Sequence, residues 1–297
     1  MSDIGQRPRG PIGLVYARLE VPDLAASRRF YERNVGLELV DETPERVTLR
    51  ANTAHHCIEL LAAPERTEAH TSAVGFAVSS EADLADLAQR VDAAGLARHP
   101  LDPTIVALST DGFAVDDPNG LRIELVYEFQ EFADEPHVEL RPVDLVHPFI
   151  STDKYEESLA FYTGVLGFLP SDYIGNQTAF LRSENRYHHS FAIRRDKTFY
   201  VAHLCFLMKS FDHVMRKRAL AIYDQVPIAS DLVNHSASHS IAFYMQDRRH
   251  GPRAELCDGH RVLTVDEHEH THRARRMSVD PRNIDVWRAA GDDWGRF

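Results

Sequence analysis

Residues 12–21, IGLVYARLEV, form a short apolar run rich in aliphatic and aromatic residues that passes into an alternation over Ala17–Val21, which predicts a strand. The pattern breaks at Pro22-Asp23. Asp23 is placed to cap a helix over LAASRRFYERNV, and Gly36 ends it. Three short strands are expected next, LELVDE, RVTLRA and HHCIELLA. A second strand and helix follow, AVGFAVSS and then EADLADLAQRVDAAG, whose apolar spacing is helical. GFAVDDPNGLRIELVYEF predicts a hairpin turned at Asp-Pro-Asn-Gly.

The same plan recurs over residues 144–259. FYERNVGLEL matches FYTGVLGFLP, with Phe30 opposite Phe161 (161 − 30 = 131). His55-His56 matches His188-His189 (188 − 55 = 133), Gly75-Phe76-Ala77 matches Cys205-Phe206-Leu207 (205 − 75 = 130), and GLRIEL matches GPRAEL (251 − 120 = 131). Near-constant spacing over four landmarks predicts an α+β protein of two tandem modules, each a pair of βαβββ units. The expected boundaries are 11–130 and 143–260, joined by the acidic segment EFQEFADEPHVELRP, with a tail over 261–297 that carries Trp287 and Trp294.

Composition narrows the function classes. The 297 residues suffice for a substantial core, and the net charge of −12 without a basic block excludes nucleic acid as an expected partner. No apolar run is long enough to span a bilayer, and MSDIGQRPRG lacks the apolar centre of a signal peptide. Three widely spaced cysteines, Cys57, Cys205 and Cys257, suit buried thiols in a reducing cytoplasm. The His-rich stretch DEHEHTHRARR is expected to be a solvated charged loop rather than a metal site.

The candidate chemistry lies in the second module. His147 sits in the strand-like run DLVHPFI, His203 in YVAHLCFLM, and Glu255 in AELC. Two histidines and one carboxylate on strands form the ligand set that leaves open positions on a non-haem Fe(II), and Mn(II) accepts the same donors. By the repeat, His147 corresponds to Tyr16, His203 to Ala73 and Glu255 to Glu124. The first module therefore lacks two of the three donors and is expected to be metal-free. Strand alternation sends His188 and His189 to opposite faces, and His239 follows His235 by four residues, so either member of each pair is open to a site role.

The motifs LVHPFI, LAFYTGVLGF, NRYHHSFAI, VAHLCF, NHSASHSIAFYM and RAEL resemble those of the type I extradiol ring-cleaving dioxygenases, the catechol 2,3-dioxygenase type of the vicinal oxygen chelate superfamily. The resemblance runs from about residue 11 to 260. It implies that His147, His203 and Glu255 bind the metal, that His189 is an acid/base, and that His235 and Tyr244 hold the substrate oxygens. It further implies a catecholic substrate, dioxygen, and assembly as a homo-oligomer. The loop before Glu255, QDRRHGPRAE, departs from the pattern by lacking the Asp-Pro-x-Gly turn that the first module keeps at 117–120. His55 and His56 then become structural or surface residues, and the tail a lid or a subunit contact. Two other readings follow different chemistry: a glyoxalase- or epimerase-like enzyme with a redox-inert metal, which expects ligands from both modules, and a ligand-sequestering resistance module, which lacks a complete metal triad.

Overall fold

A computed structural model describes residues 7–289, apart from the side chains of 281 and 282. Trp294 lies outside the described residues. The first sheet contains β1 (Gly13–Val21), β2 (Glu38–Glu42), β3 (Arg46–Arg50), β4 (Ile58–Ala62), β5 (His70–Val78), β6 (Arg98–His99), β7 (Asp111–Asp116) and β8 (Arg122–Tyr127). Their spatial order is β2-β3-β4-β1-β5-β8-β7-β6. β1 runs parallel to β4, and β5 parallel to β8, while β1 and β5 meet antiparallel at the centre. Two βαβββ units thus face each other across that seam, one crossed by α1 (Leu24–Phe30) and the other by α2 (Glu81–Ala93). A short α3 (Pro103–Val106) lies between β6 and β7.

The second sheet repeats this arrangement. It holds β9 (Pro142–Thr152), β10 (Leu169–Ile174), β11 (Thr178–Arg182), β12 (Phe191–Arg195), β13 (Tyr200–Met208), β14 (Ile228–His235), β15 (Ile241–Met245) and β16 (Arg253–Asp258), crossed by α4 (Tyr155–Ala160) and α5 (Phe211–Tyr223). The tail adds β17 (Arg275–Met277), then α6 (Pro281–Ile284) and β18 (Asp285–Arg288). The order is β17-β10-β11-β12-β9-β13-β16-β15-β14-β18. The tail, which falls outside the sequence repeat, therefore supplies the two outermost strands of this sheet.

Local chemistry sets the helix limits. The Asp23 carboxylate accepts from the Ala26 amide at 2.9 Å, as its N-cap position requires. Gly36 closes the following π-helical turn, Tyr31–Val35, at φ +99°, a conformation that needs glycine. One expected strand is shorter than its apolar run: β4 starts at Ile58 because His55 and His56 turn their rings onto each other, with Nδ1 atoms 3.0 Å apart.

One face of each sheet packs against its helices in a core shared by both modules. Phe76 meets Phe168 edge-on at 5.4 Å, and Arg33 pairs with Asp224 at 2.6 Å across the junction. The opposite faces differ. In the first module that face is filled by Tyr16, Leu101, Ile105, Ala114 and Val126. In the second it opens into a cavity of about 980 Å³.

Candidate metal centre

Strand register builds the centre. In the parallel pair β13/β16, His203 lies beside Arg253 and Cys205 beside Glu255. In the antiparallel pair β13/β9, Cys205 lies beside His147, and the next partners are Phe206 and Leu145. Val146 is therefore an extra residue, a β-bulge beside His147. The first module has the same irregularity between Leu14 and Tyr16, where Val15 is the extra residue. Its register is also equivalent: Ala73 lies beside Arg122, Gly75 beside Glu124, and Tyr16 beside Gly75. A Cβ on Gly75 would meet the Tyr16 ring at 2.3 Å, so glycine there is what lets the tyrosine lie flat.

His147, His203 and Glu255 come together on three neighbouring strands. Nε2 of His147 is 3.1 Å from Nε2 of His203, and the Glu255 Oε2 is 3.0 Å from His203 and 3.5 Å from His147. Two ligands about 2.1 Å from a six-coordinate ion, at right angles, lie about 3 Å apart. The donor set has that spacing. Its protonation suits a cation as well. Burial pulls His147 down to about 4, against the pull of Glu255, so its imidazole is neutral. Burial tends to raise Glu255, but His203 and His147 outweigh it and hold the carboxylate well below its usual range. A neutral His147 imidazole beside an ionised carboxylate is in the form that ligates metal. Cys205 is close to the same atoms but is kept as a thiol by burial, by the Cys257 sulfur at 3.4 Å and by Glu255.

The remaining residues singled out from the sequence surround this set. His189 packs on His147 with ring centroids 4.1 Å apart and is held neutral, first by burial and then by its histidine neighbours. His188 turns away, and its Nε2 lies 2.9 Å from Asp172, which Arg275 of β17 also binds at 2.9 Å. His188 Nδ1 in turn meets His189 Nδ1 at 3.0 Å. His235 faces the cavity, with Nε2 2.8 Å from the Tyr244 hydroxyl, whereas His239 is exposed in a turn at φ +62°. Burial and the Glu255 charge keep the Tyr244 phenol protonated. Burial lowers His235, but the Asp285 hydrogen bond and the charges of Glu255 and Asp285 raise it overall.

The equivalent position in the first module is an ion cluster. The Tyr16 hydroxyl donates to Glu124, and Arg18 binds Glu124 at 3.0 Å and Glu59 at 2.6 Å. The Arg18 guanidinium, itself almost fully buried, bridges both carboxylates, and Arg46 adds a second cation on Glu59 at 2.9 Å.

Residues 13–125 match the model of the Glyoxalase/Bleomycin resistance protein/Dioxygenase superfamily. The register just described repeats that module over β9 to β16. Residues 13–125 thus carry this superfamily's module. Among curated relatives, it is 27% identical over 261 residues to biphenyl-2,3-diol 1,2-dioxygenase of Paraburkholderia xenovorans (strain LB400), covering 78% of this chain and 82% of that one. The Mn(II)-bound glyoxalase of Novosphingobium aromaticivorans superposes with a TM-score of 0.83 at 26% identity, over 96% of this chain and 93% of that one. Homoprotocatechuate 2,3-dioxygenase of Arthrobacter globiformis has the same fold, with a TM-score of 0.83 at 20% identity over 95% and 89% of the two chains.

The fold also brings in residues that sequence reasoning missed. His260, two residues past β16, packs on His189 at 4.7 Å and on Tyr187 at 5.5 Å. The Phe149 ring packs tilted against His203 at 4.8 Å, and the Arg194 guanidinium lies 5.8 Å from its centroid. Phe149 follows His147 by two residues, so alternation was the available signal. The stretch DEHEHTHRARR is less solvated than expected. His268 is buried, 3.2 Å from Glu184, and Arg7 and Arg9 pair with Glu184 and Glu269 around it. Among the described residues no helix is long and apolar enough to cross a membrane.

Proposed function

We infer that the protein is an extradiol dioxygenase that opens a catecholic ring beside its two hydroxyls, with Fe(II) held by His147, His203 and Glu255. The observation that carries the reading is convergence. Three metal donors 3.0–3.5 Å apart share one cavity with His189, His235 and Tyr244. The named relatives of the chain include biphenyl-2,3-diol 1,2-dioxygenases. When bound, the ion supplies a redox-capable centre at which diol and dioxygen meet; Mn(II) takes the same donors.

The protein groups have separable tasks. Phe149 and Phe180 line the same cavity as the donors and offer apolar ring surface to an aromatic substrate. His189, neutral and buried, accepts a proton from one substrate hydroxyl and returns it after oxygen has added. Tyr244, kept protonated, donates a hydrogen bond to the other substrate oxygen and stabilises it as the anion. His235 holds the Tyr244 hydroxyl 2.8 Å from Nε2 before substrate binds, and the phenol proton turns from Nε2 to the substrate oxygen when the diol enters. The balance is one catechol and one dioxygen to one ring-opened product: both oxygen atoms are retained, one carbon–carbon bond is broken, and the diol supplies the electrons.

A second reading needs weighing because one similar structure is a Mn(II)-bound glyoxalase. Non-redox chemistry of that kind expects metal donors from both modules. The first module offers Tyr16, Ala73 and an Arg18-bound Glu124 at the equivalent strand positions, which favours the dioxygenase. We assign residues 11–130 to support, 143–260 with its tail to catalysis, a cytoplasmic location to the enzyme, and a homo-oligomeric state to the assembly.

The test is anaerobic reconstitution with Fe(II), then oxygen uptake with a panel of catechols. Uptake with a yellow ring-fission product, lost in His203→Ala and Glu255→Ala, is expected. One metal per chain without uptake on any catechol would move the weight to the non-redox reading.

A further inference from the structure

The tail segment after α6 reaches the site. β18 pairs antiparallel with β14, placing Asp285 beside His235, Trp287 beside Asn234 and Arg288 beside Val233. A register shift falls between Asn234 and His235, so one tail residue, Val286, is extra. The bulge turns the Asp285 side chain inward, where it is fully buried.

That carboxylate has two partners. Oδ1 lies 2.6 Å from Nδ1 of His235, and Oδ2 accepts from Nε of Arg288 at 2.7 Å. Arg288 and Ile284 also line the cavity. The tail is tied down beside this pair: the Ser236 hydroxyl donates to the Ile284 carbonyl at 2.6 Å, and the Ala289 amide donates to the Leu232 carbonyl at 2.7 Å.

An ionised carboxylate can only accept, so the contact requires the His235 proton to sit on Nδ1. The ring is then held by its far edge, and Nε2 is aimed at the Tyr244 hydroxyl, 2.8 Å away, and at the cavity. Without Asp285, the ring can rotate or shift its proton to Nε2. In the neutral ring, Nε2 would then stop accepting from Tyr244 and donate instead.

We propose that Asp285, carried on the C-terminal tail strand and braced by Arg288, is a positioning residue that fixes the orientation and tautomer of His235 for ring cleavage. Its part in turnover rests on the dioxygenase reading, but its hold on His235 does not. The tail is thus a fixed part of the site wall.

The first measurement needs neither metal nor substrate. Protein labelled with ¹⁵N-histidine is compared with His235→Gln to assign the ring signals. The wild-type His235 Nδ1 should show the shift and coupling of an N–H nitrogen. In Asp285→Ala that signature should move to Nε2 or average between the two. In Asp285→Asn the amide oxygen can still accept, so Nδ1–H should persist in part. Arg288→Gln weakens the strand but spares the acceptor, and should leave the tautomer unchanged even where its melting temperature falls. An unprotonated Nδ1 in wild type, or an unchanged signature in Asp285→Ala, would overturn the proposal.

In the Fe(II)-loaded enzyme, kcat of Asp285→Ala should fall about 10- to 100-fold, with metal content unchanged. Asp285→Asn should lose less. Equal losses in both variants, with kcat and KM scaling only with the folded fraction, would reduce Asp285 to a structural role. Wild-type protein with the expected tautomer but no oxygen uptake would leave the positioning intact and refute the reaction instead.

Discussion

Replacing Arg18 by methionine tests whether the first module's counterpart of the metal site is a stability element. Arg18 is 7% exposed and joins Glu59 at 2.6 Å to Glu124 at 3.0 Å. Burial works against the guanidinium, but the two carboxylates outweigh it and raise its pKa further. Methionine fills similar space and leaves both acids without their shared cation. Breaking a buried pair from one side costs about 3–5 kcal/mol. Glu59 keeps Arg46 at 2.9 Å, and Glu124 keeps the Tyr16 hydroxyl, so about 3 kcal/mol is expected. For a chain of this size that lowers the melting temperature by roughly 5 °C. Arg18→Met/Glu124→Gln removes one stranded charge and should recover a measurable part of the loss. The assay is thermal and urea unfolding followed by circular dichroism, with metal content measured below the transition. Metal content should remain that of wild type. An unchanged melting temperature with lost metal would refute the reasoning, because it would place Arg18 in the functional site.

Other outcomes follow from single features. Asp172→Asn weakens the anchor of His188, and through it His189, so kcat should drop while metal stoichiometry holds; unchanged turnover would mean that the Asp172–His188 contact does not orient His189. Gly75→Ala forces a Cβ to within 2.3 Å of the immobile Tyr16 ring and should cost about 1–3 kcal/mol in urea unfolding; a neutral result would mean the ring can move. Burial pushes the Asp144 carboxyl up to about 6, above its unfolded value of about 3.9, despite a bond from Tyr187. Its neutral form is the one the fold favours, so its contribution is present below the unfolded pKa and lost as pH rises through about 6. Allowing for screening, the loss is about 1–2 kcal/mol. Asp144→Asn should therefore melt higher than wild type by a margin that grows from about pH 5 to 7.5. A margin independent of pH would contradict this.

The repeat was legible because strands and their spacing are written in the alternation of side chains. The offset that related His147 to Tyr16 and Glu255 to Glu124 is the offset of the strand registers themselves. The choice between His188 and His189 was not legible from alternation alone; it turns on Asp172, a residue of another strand whose pairing with Arg275 spans the tail. Asp285 escaped for the same reason. Nothing in NIDVWR says that the segment will pair with β14, since edge pairing depends on where the chain returns in space. Arg18 could have been suspected, as a charge two positions from Tyr16 on the same strand face. The bulges at Val15 and Val146 left no sign, because an extra residue in one strand is visible only against its partner.

The most direct test of the central claim is turnover of a catechol by the Fe(II)-loaded protein under ¹⁸O₂, with oxygen consumption and product mass measured together. One dioxygen should be consumed per ring opened, and two labelled atoms should be added across the broken bond beside the diol, before any exchange of the aldehyde oxygen with water. Product formed without dioxygen consumption, or with label from water alone, would contradict that claim.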